Sequence, residues 1–408
     1  MSQVKVNSNP IVSLLPLKMS LREKLHSLWK LHLNRRKIRT MFEATWPEGR
    51  KCFEQVMQDM KLLIWKYDCK YKFILKEYFD EGLHRADHPL DEYALLMEWS
   101  RLRYIWDYTL YPDVVQKVAN KIEFKKILQE NGYPVSAVLG ILSMQDGEPI
   151  LERVDGTKEK LDDVLRTTGG IFVKPDNLLQ GKGCAKIQLG SAPGRYLING
   201  EYADLAAVAD FITKKPESDG THSITQVKDA LLAELLVENH ESLRAFHANS
   251  LNTLRIIIMR TPSGGVELNR AIMRFGTGGS SVDNLYAGGI GVPVETSTGR
   301  LVTYGHTLAT DTPPYYKHPD SGLTFDGFEV PFWKESLEMS IEIRRKLFPE
   351  VFNIGFDIAI TPSGPVMIEA NVSSCFFQRT SAGGLRPIMN TWLRPLVYEL
   401  MKGNPICH

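Results

Sequence analysis

Hydrophobic spacing divides the chain into a helical first part and a mixed remainder. Beyond Ser20, apolar side chains recur at i, i+4, i+7 and i+8, as one helical face requires: Leu21, Leu25, Leu28 and Trp29. Further helices are predicted over Lys51–Asp80 and Asp91–Trp106, which lack Pro and Gly, and Tyr111-Pro112 interrupts the pattern. Residues 1–112 are therefore predicted to form a mainly helical N-terminal region.

Short strands, turns and helices alternate after Asn120. A helix is predicted to begin at Asn120-Lys121, run to Glu130 and end at Asn131-Gly132, a good left-handed terminator. Strands are predicted at Gly169–Pro175, Leu232–Val237 and Ile256–Met259, and Asn199-Gly200 indicates a tight hairpin. Helices follow at Ala203–Lys215, Trp333–Leu347 and Pro387–Lys402. The predicted fold class is α+β.

A β-hairpin is predicted within Asn353–Phe377. Two apolar runs, Phe356–Ile360 and Val366–Ala370, flank a Thr-Pro-Ser-Gly-Pro turn. If Ile360 pairs with Val366, Asp357 falls opposite Glu369, and Asn371 shares the face of Glu369. Opposed carboxylates are destabilising unless something compensates. Carboxylate and amide oxygens suit Mg²⁺ held together with substrate phosphates, and the alternative is a surface hairpin whose carboxylates face water.

Two further segments have the chemistry of a nucleotide site. Lys174 lies at the end of a predicted strand, and Gly181-Lys182-Gly183 follows it. An ammonium can pair with a phosphate, and glycines let backbone N–H groups approach phosphate oxygens, although a Gly-x-Gly also occurs in surface hairpins. The strand end at Glu234–Glu238 can offer backbone groups to an adenine and a carboxylate to a ribose, unless it is an ordinary strand terminus.

Two polar segments lie downstream. Ser250–Arg255 leads into a buried strand, where polar side chains can belong to a site but more often cap or turn the chain. The glycine-dense segment Phe275–Asn284 is typical of a mobile substrate cover, and it could also be a plain linker.

Composition and charge exclude several classes of protein. The 408 residues are 43% hydrophobic and 24% charged, an ordinary globular profile, and the net charge of +1 gives no reason to expect a nucleic-acid partner. Five widely spaced cysteines without a C-x-x-C pair argue against a disulfide framework or a structural zinc site. With no signal-peptide pattern and no long apolar run, we expect a cytoplasmic protein.

The first helix carries an unusual excess of positive charge. Glu23 is the one acid among many basic residues: Lys18, Arg22, Lys24, Lys30, Arg35, Arg36, Lys37 and Arg39. A basic amphipathic helix can lie on an anionic membrane surface. We expect instead that its Leu stripe packs on the protein's own core and that its basic face is solvated.

The order of these motifs resembles that of the ATP-grasp superfamily. A lysine-bearing helix, the Val173-Lys174-Pro175 strand, a glycine loop and a Leu-Val-Glu strand end precede the acidic hairpin. More narrowly, four motifs are similar to the sugar-transfer-associated ATP-grasp group: Ser250–Arg255, Asp283-Asn284 with Gly288-Gly289-Ile290, the segment from His318-Pro through Gly322, Gly327 and Val330-Pro331 to Trp333, and Gly355-Phe-Asp357 with Glu369-Ala-Asn371. The resemblance implies two α+β subdomains that clasp ATP, over 113–240 and 241–408.

The resemblance also implies a role for individual residues. The adenine and phosphate lysines would be Lys121, or a neighbour such as Lys125, and Lys174, with a lid at Gly181, Lys182 and Gly183. The adenine and ribose segment would run from Glu234 through Val237 to Glu238. Two Mg²⁺ ions, for which Mn²⁺ is an alternative, would bind Asp357, Glu369 and Asn371, with Glu369 bridging both.

The implied chemistry is ATP-dependent carboxylate–amine ligation through an acyl phosphate, with a small-molecule or sugar-linked acid and an amine as partners. Arg255 and Arg274 are the candidates for stabilising the developing charge. Many peptide-forming relatives carry an arginine two residues before the metal aspartate, where this chain has Gly355. The alternatives are a phosphotransferase on the same fold and a non-catalytic nucleotide-binding scaffold. The group's name implies work beside glycosyl transfer, as in surface-polysaccharide assembly.

Overall fold

The computed structural model describes residues 19–80, 82–86, 90, 111–175, 183–192, 194–214, 231–261 and 265–372. The helices predicted over Asp91–Trp106 and Pro387–Lys402 lie outside these residues. The helices of the described part are α1 Leu21–Leu33, α2 Arg35–Glu43, α3 Phe53–Trp65, α4 Tyr71–Asp80, α5 Pro112–Ala119, α6 Lys121–Glu130, α7 Leu161–Thr168, α8 Leu205–Thr213, α9 Glu241–Arg244 and α10 Trp333–Leu347. The strands are β1 Val138–Gln145, β2 Glu148–Arg153, β3 Lys158–Lys160, β4 Ile171–Pro175, β5 Ala185–Leu189, β6 Arg195–Ile198, β7 Glu201–Asp204, β8 Leu231–Leu235, β9 Thr253–Arg260, β10 Val266–Phe275, β11 Ile290–Pro293, β12 Asn353–Thr361 and β13 Gly364–Val372.

The described part of the N-terminal region is helical, as predicted. Ser20 caps α1 through a reciprocal pair of hydrogen bonds with Glu23, which satisfies backbone N–H groups of the first turn. The orientation expected for α1 is wrong for three of the four stripe residues, however. Ser27 and Leu31 are buried and Leu28 packs partly buried against the core, whereas Leu21, Leu25 and Trp29 are exposed. Periodicity identifies a face of a helix, but it does not say whether that face meets the core.

An eight-stranded antiparallel sheet forms the middle of the chain, in the order β3-β2-β1-β8-β4-β5-β6-β7. The hairpin predicted at Asn199-Gly200 joins β6 to β7, and both turn residues have positive φ, 53° and 86°, as a type I′ turn requires. The strand β8 lies between β1 and β4, although it follows them in sequence by more than fifty residues. This order brings Glu234 of β8 beside Lys174 of β4.

A five-stranded antiparallel sheet, in the order β11-β10-β9-β12-β13, carries the second half. Its two faces meet different neighbours. Ile256 and Ile258 of β9 belong to the core that includes α10 residues such as Ile343, whereas Ile257 and Met259 pack with the N-terminal helices. The N-terminal region therefore covers part of the face on which odd-numbered β9 residues project.

The helices α5 and α6 precede the eight-stranded sheet in sequence but pack against the five-stranded one. Val118, Phe124 and Leu128 belong to its core, and Ser136 N donates to Met367 O over 3.0 Å. The segment boundaries predicted at 112 and 240 stay predictions. Within the described residues, no helix is long and apolar enough to cross a membrane.

Candidate functional site

The acidic hairpin forms as predicted, with one difference in its register. Asp357 lies opposite Glu369, but Ile360 pairs with Pro365 rather than with Val366. The two registers are reconciled by a β-bulge that leaves Ile368 as the extra residue of β13. Met367 consequently lies in the core, while Glu369 joins Asp357 on the other face.

Two arginines converge on Asp357, which is buried. Arg255 lies directly opposite Asp357 on β9 and binds both carboxylate oxygens, Oδ1 through Nε and Oδ2 through Nη2 at 2.7 Å. Arg274 of β10 contributes Nη2, 3.0 Å from Oδ2. The positive charge that is missing at Gly355 is therefore present next to the carboxylate, from two neighbouring strands. Sequence reasoning named both arginines but gave no basis for placing them together.

Asp283 supports this arrangement, and sequence reasoning did not identify it as a site residue. Its Oδ2 accepts a hydrogen bond from Thr253 N over 2.8 Å and lies 3.5 Å from Arg274 Nε. The Thr253 hydroxyl donates to the same oxygen and accepts from Arg274. Burial raises the pKa of Asp283, and Arg274 and Thr253 oppose that rise. The one available signal was the turn sequence Asp283-Asn284.

A second charged cluster, the Lys125–Glu234–Lys174 triad, lies where α6 meets the eight-stranded sheet. Lys174 Nζ lies 2.8 Å from Glu234 Oε1, and Lys125 also donates to that oxygen. Lys125 Nζ donates to Ser136 Oγ over 2.6 Å, and Ser136 Oγ donates to Glu234 Oε2 over 3.0 Å. All four side chains are buried.

The triad holds two ammonium groups against one carboxylate, and its pKa values differ accordingly. Burial and the neighbouring Lys174 lower the pKa of Lys125 to about 7, against the opposing effect of Glu234. Lys174 also loses solvation, but Glu234 and Glu369 raise its pKa to about 12. For Glu234, burial is outweighed by the two lysines, and its pKa is lowered. Lys174 is thus the firmly charged member of the triad.

Glu369 lies between cations that come from both sheets. Burial acts to raise its pKa, yet the charges of Lys174, Lys121, Arg255 and Arg274 lower it to about 2. Lys174 lies on β4 of the eight-stranded sheet, and Lys121 begins α6. Arg255 and Arg274 lie on β9 and β10 of the five-stranded sheet. Glu369 therefore stays ionised at neutral pH.

The donor set of the hairpin fits a magnesium ion bound together with phosphates. Asp357 and Glu369 supply carboxylate oxygens, and Asn371 lies close enough for its Nδ2 to contact Glu369 Oε1 at 3.4 Å. No group of three or more His, Cys, Asp or Glu side chains suited to a metal occurs in the described ranges. Two carboxylates and an amide are nevertheless sufficient where substrate phosphates complete the octahedron, because Mg²⁺ is usually bound that way.

A cavity of about 600 Å³ opens next to the glycine-rich loop. One wall is the β6–β7 hairpin with Cys184, and the other is the segment 279–282 of the glycine-rich loop. Burial raises the pKa of the Cys184 thiol to about 11, despite the opposing charge of Lys174. A thiol with that pKa stays protonated near pH 7 and is a poor nucleophile.

The glycine-rich loop is anchored at its start by side chains from distant segments. His318 Nε2 lies 2.8 Å from Gly276 O, His247 Nε2 lies 2.9 Å from Gly278 O, and Asp320 Oδ2 accepts from Gly278 N over 2.7 Å. Asn252 Oδ1 accepts from Gly276 N over 3.2 Å. Asn252 is fully buried, and its Nδ2 donates to Leu243 O over 3.0 Å. It therefore fixes the chain locally, which is the commoner of the two roles expected for Ser250–Arg255.

The remaining described residues predicted to bind the nucleotide do not lie in either charged cluster. Lys121 begins α6, and its Nζ lies 3.5 Å from Pro175 O. Gly183 adopts a left-handed conformation with φ of 70°, whereas Gly181 and Lys182 lie outside the described residues. Val237 is half-buried, and Glu238 is exposed and paired with Arg244 at 2.8 Å. The predicted role of Glu238 at the ribose therefore stays a prediction.

Comparisons with known proteins agree with this architecture. The profile of the sugar-transfer associated ATP-grasp family matches residues 102–391, more than half of the chain. No curated protein is significantly similar in sequence. Two solved structures are among those to which the chain is similar. D-alanyl-alanine synthetase A from Vibrio cholerae is 12% identical with a TM-score of 0.36, over 71% of this chain and 65% of that one. N5-carboxyaminoimidazole ribonucleotide synthetase from Thermotoga maritima is 13% identical with a TM-score of 0.30, and the similarity covers 64% of this chain but only 43% of that chain.

Proposed function

Because the chain belongs to the sugar-transfer associated ATP-grasp family, we propose that it is a Mg·ATP-dependent carboxylate–amine ligase. The reaction joins a small-molecule or sugar-linked acid to an amine, with ADP and phosphate as the other products. One observation carries the proposal: cations from both sheets converge on Glu369 and hold its pKa at about 2. A site of this kind suits a triphosphate and a transferring phosphoryl group, whose chemistry depends on positioning and charge neutralisation.

In the first step, an oxygen of the substrate carboxylate attacks the γ-phosphorus of ATP. The bond from that phosphorus to the β–γ bridging oxygen breaks, ADP leaves, and an acyl phosphate forms. Lys174 supports this step as a permanently charged ammonium, since the pKa of Lys174 is raised to about 12. Arg255 and Arg274 supply guanidinium groups beside Asp357 for the charge on the transferring phosphoryl group.

In the second step, the amine attacks the acyl carbon, the C–O bond to phosphate breaks, and a proton leaves the nitrogen as the amide forms. Bound Mg²⁺, for which Asp357, Glu369 and Asn371 are the candidate ligands, would neutralise phosphate oxygens in the first step. The cavity between the β6–β7 hairpin and the glycine-rich loop is the candidate space for the acid and the amine. Nucleotide contacts of Lys121, Gly181–Gly183 and Glu234–Glu238 are part of the same proposal.

The decisive experiment measures ADP and phosphate release from Mg·ATP with panels of acids and amines, alone and in pairs. A ligase releases both products at full rate only when acid and amine are present together. With ¹⁸O in the substrate carboxylate, one label should appear in the released phosphate, because the acyl oxygen leaves with it. A stable phosphorylated product would instead identify a phosphotransferase.

A matched pair of variants tests the site itself. Glu369→Gln should lower turnover by about 100-fold or more, since it removes a charge from the centre of the site. Glu267→Gln changes an exposed glutamate on β10 of the same sheet and should leave turnover unchanged. Full activity of Glu369→Gln would disprove the role assigned to Glu369, whereas absence of turnover in the wild type with every acid and amine tested would favour a non-catalytic scaffold.

A further inference from the structure

The outward face of α1 presents an apolar band that the described residues leave uncovered. Four side chains spaced four residues apart form it, and their exposed fractions are 63% for Leu21, 54% for Leu25, 56% for Trp29 and 59% for Leu33. Residues at this spacing lie on one side of a helix. Single exposed apolar residues are common on proteins, whereas a contiguous row of four on one helix indicates an interaction site.

Basic side chains outnumber acidic ones around the band. On α1, Arg22 and Lys30 are exposed, and Arg36, Lys37 and Arg39 follow on α2, whose one exposed acid is Glu43 at its end. The one acid of Leu21–Leu33, all of which the structure describes, is Glu23. It is engaged locally, since it caps the helix through Ser20 and lies 3.1 Å from Lys70 Nζ.

Aromatic side chains complete the surface. His26 stacks on Trp29 with ring centroids 5.7 Å apart. On the adjacent α3, Trp65 is exposed, and Lys24 Nζ binds its backbone oxygen at 2.6 Å and lies 5.6 Å from its ring. Tryptophan is enriched where an apolar phase meets water, because its ring is amphipathic.

We propose that this surface, formed by the outward face of α1 with the adjoining α2 cations and Trp65, binds an anionic lipid bilayer peripherally. An apolar band lets side chains enter the acyl boundary, and the surrounding cations complement the negative charge of the lipid headgroups. A bilayer offers a continuous negative surface to all of these cations, whereas a protein partner would have to place an acidic side chain opposite each Arg and Lys. The charge pattern therefore favours the bilayer. The inference is independent of the ligase reaction, because every residue in it lies outside the candidate active site.

Vesicle co-sedimentation of the full chain tests the proposal. The vesicles are pure phosphatidylcholine or an equimolar mixture of phosphatidylcholine and phosphatidylserine. Wild type should sediment with the anionic vesicles, and less strongly at high salt. Leu25→Gln with Trp29→Gln should weaken that binding at least about tenfold, because two apolar side chains leave the acyl boundary. Arg22→Gln with Lys30→Gln should weaken it and reduce its salt dependence.

The matched control changes two apolar residues that are just as exposed but lie elsewhere, Val154→Gln with Tyr316→Gln, at 74% and 61%. This control should bind like wild type, and circular dichroism should show that all variants are folded. The proposal is overturned if wild type ignores anionic vesicles or if the control loses as much binding as Leu25→Gln with Trp29→Gln. It is also overturned if lipid-free sedimentation shows that this α1 variant dissociates a dimer, since the face would then be a contact between two copies.

Discussion

The buried triad allows a sharp prediction, because its two lysines compete for one carboxylate. Glu234→Gln removes the only negative charge among these side chains and leaves Lys125 and Lys174 buried without it. Breaking a buried ion pair by removing one partner costs about 3–5 kcal/mol. We expect Glu234→Gln to lower the free energy of unfolding by that amount.

Lys125→Met should cost far less, about 1 kcal/mol or less. The pKa of Lys125 is already lowered to about 7, which means that burial and the neighbouring Lys174 together disfavour its charge more than Glu234 favours it. Its removal leaves a one-to-one pair between Lys174 and Glu234 at 2.8 Å. Ser136 also keeps a partner, because its hydroxyl donates to Glu234. An unsatisfied buried group is therefore avoided.

The assay is urea unfolding followed by circular dichroism, with hydrogen exchange at Leu231–Leu235 as a local readout. Glu238→Gln is the matched control, since this exposed pair with Arg244 should contribute less than about 1 kcal/mol. The double variant Lys125→Met/Glu234→Gln should be less destabilised than the sum of the single variants, because one of the two uncompensated ammonium groups is gone. Equal costs for Glu234→Gln and Lys125→Met would refute the argument.

Two further predictions concern the glycine-rich loop. Gly276→Ala should destabilise the protein by about 1–3 kcal/mol, because the added Cβ would lie 2.3 Å from Ser250 Oγ, whereas Gly279→Ala has no atom within 4 Å and should be neutral in thermal unfolding. Burial lowers the pKa of His318 below its unfolded value of about 6.5. The stability that the buried neutral imidazole contributes is therefore complete above pH 6.5, and it is lost as the pH falls toward the pKa of the folded state. His318→Gln should therefore cost less stability at pH 5.5 than at pH 7.5; equal costs of His318→Gln at both pH values would contradict this reasoning.

Local signals in the sequence predict the elements of this fold well. The bounds predicted for Trp333–Leu347 match α10, and Asn120 caps α6 by accepting from Ile122 N and Glu123 N. The turn at Asn199-Gly200 follows from residues that tolerate positive φ. Each of these features depends on interactions within a few residues of the chain.

Features that depend on distant pairing could not be predicted in the same way. Lys125 and Glu234 are 109 positions apart, and Arg255 and Asp357 are 102 apart, so only the strand order brings them together. The prediction of which face of α1 is buried was wrong for a related reason. Its buried face includes Ser27, which lies near Tyr71 of another helix, and hydrophobicity alone favours the opposite face.

The bulge in β13 gives the hairpin a spare residue of chain length. Pairing is regular on the turn side up to Met367 and resumes at Glu369, so Ile368 is needed by neither half of the ladder. Loss of one residue between the turn and Glu369 can be absorbed there, and Asp357 and Glu369 stay opposite each other. The same deletion beyond Glu369 would have no such reserve, and Asn371 would turn to the other face. Length changes in this hairpin are thus tolerated on one side of the acidic pair and not on the other.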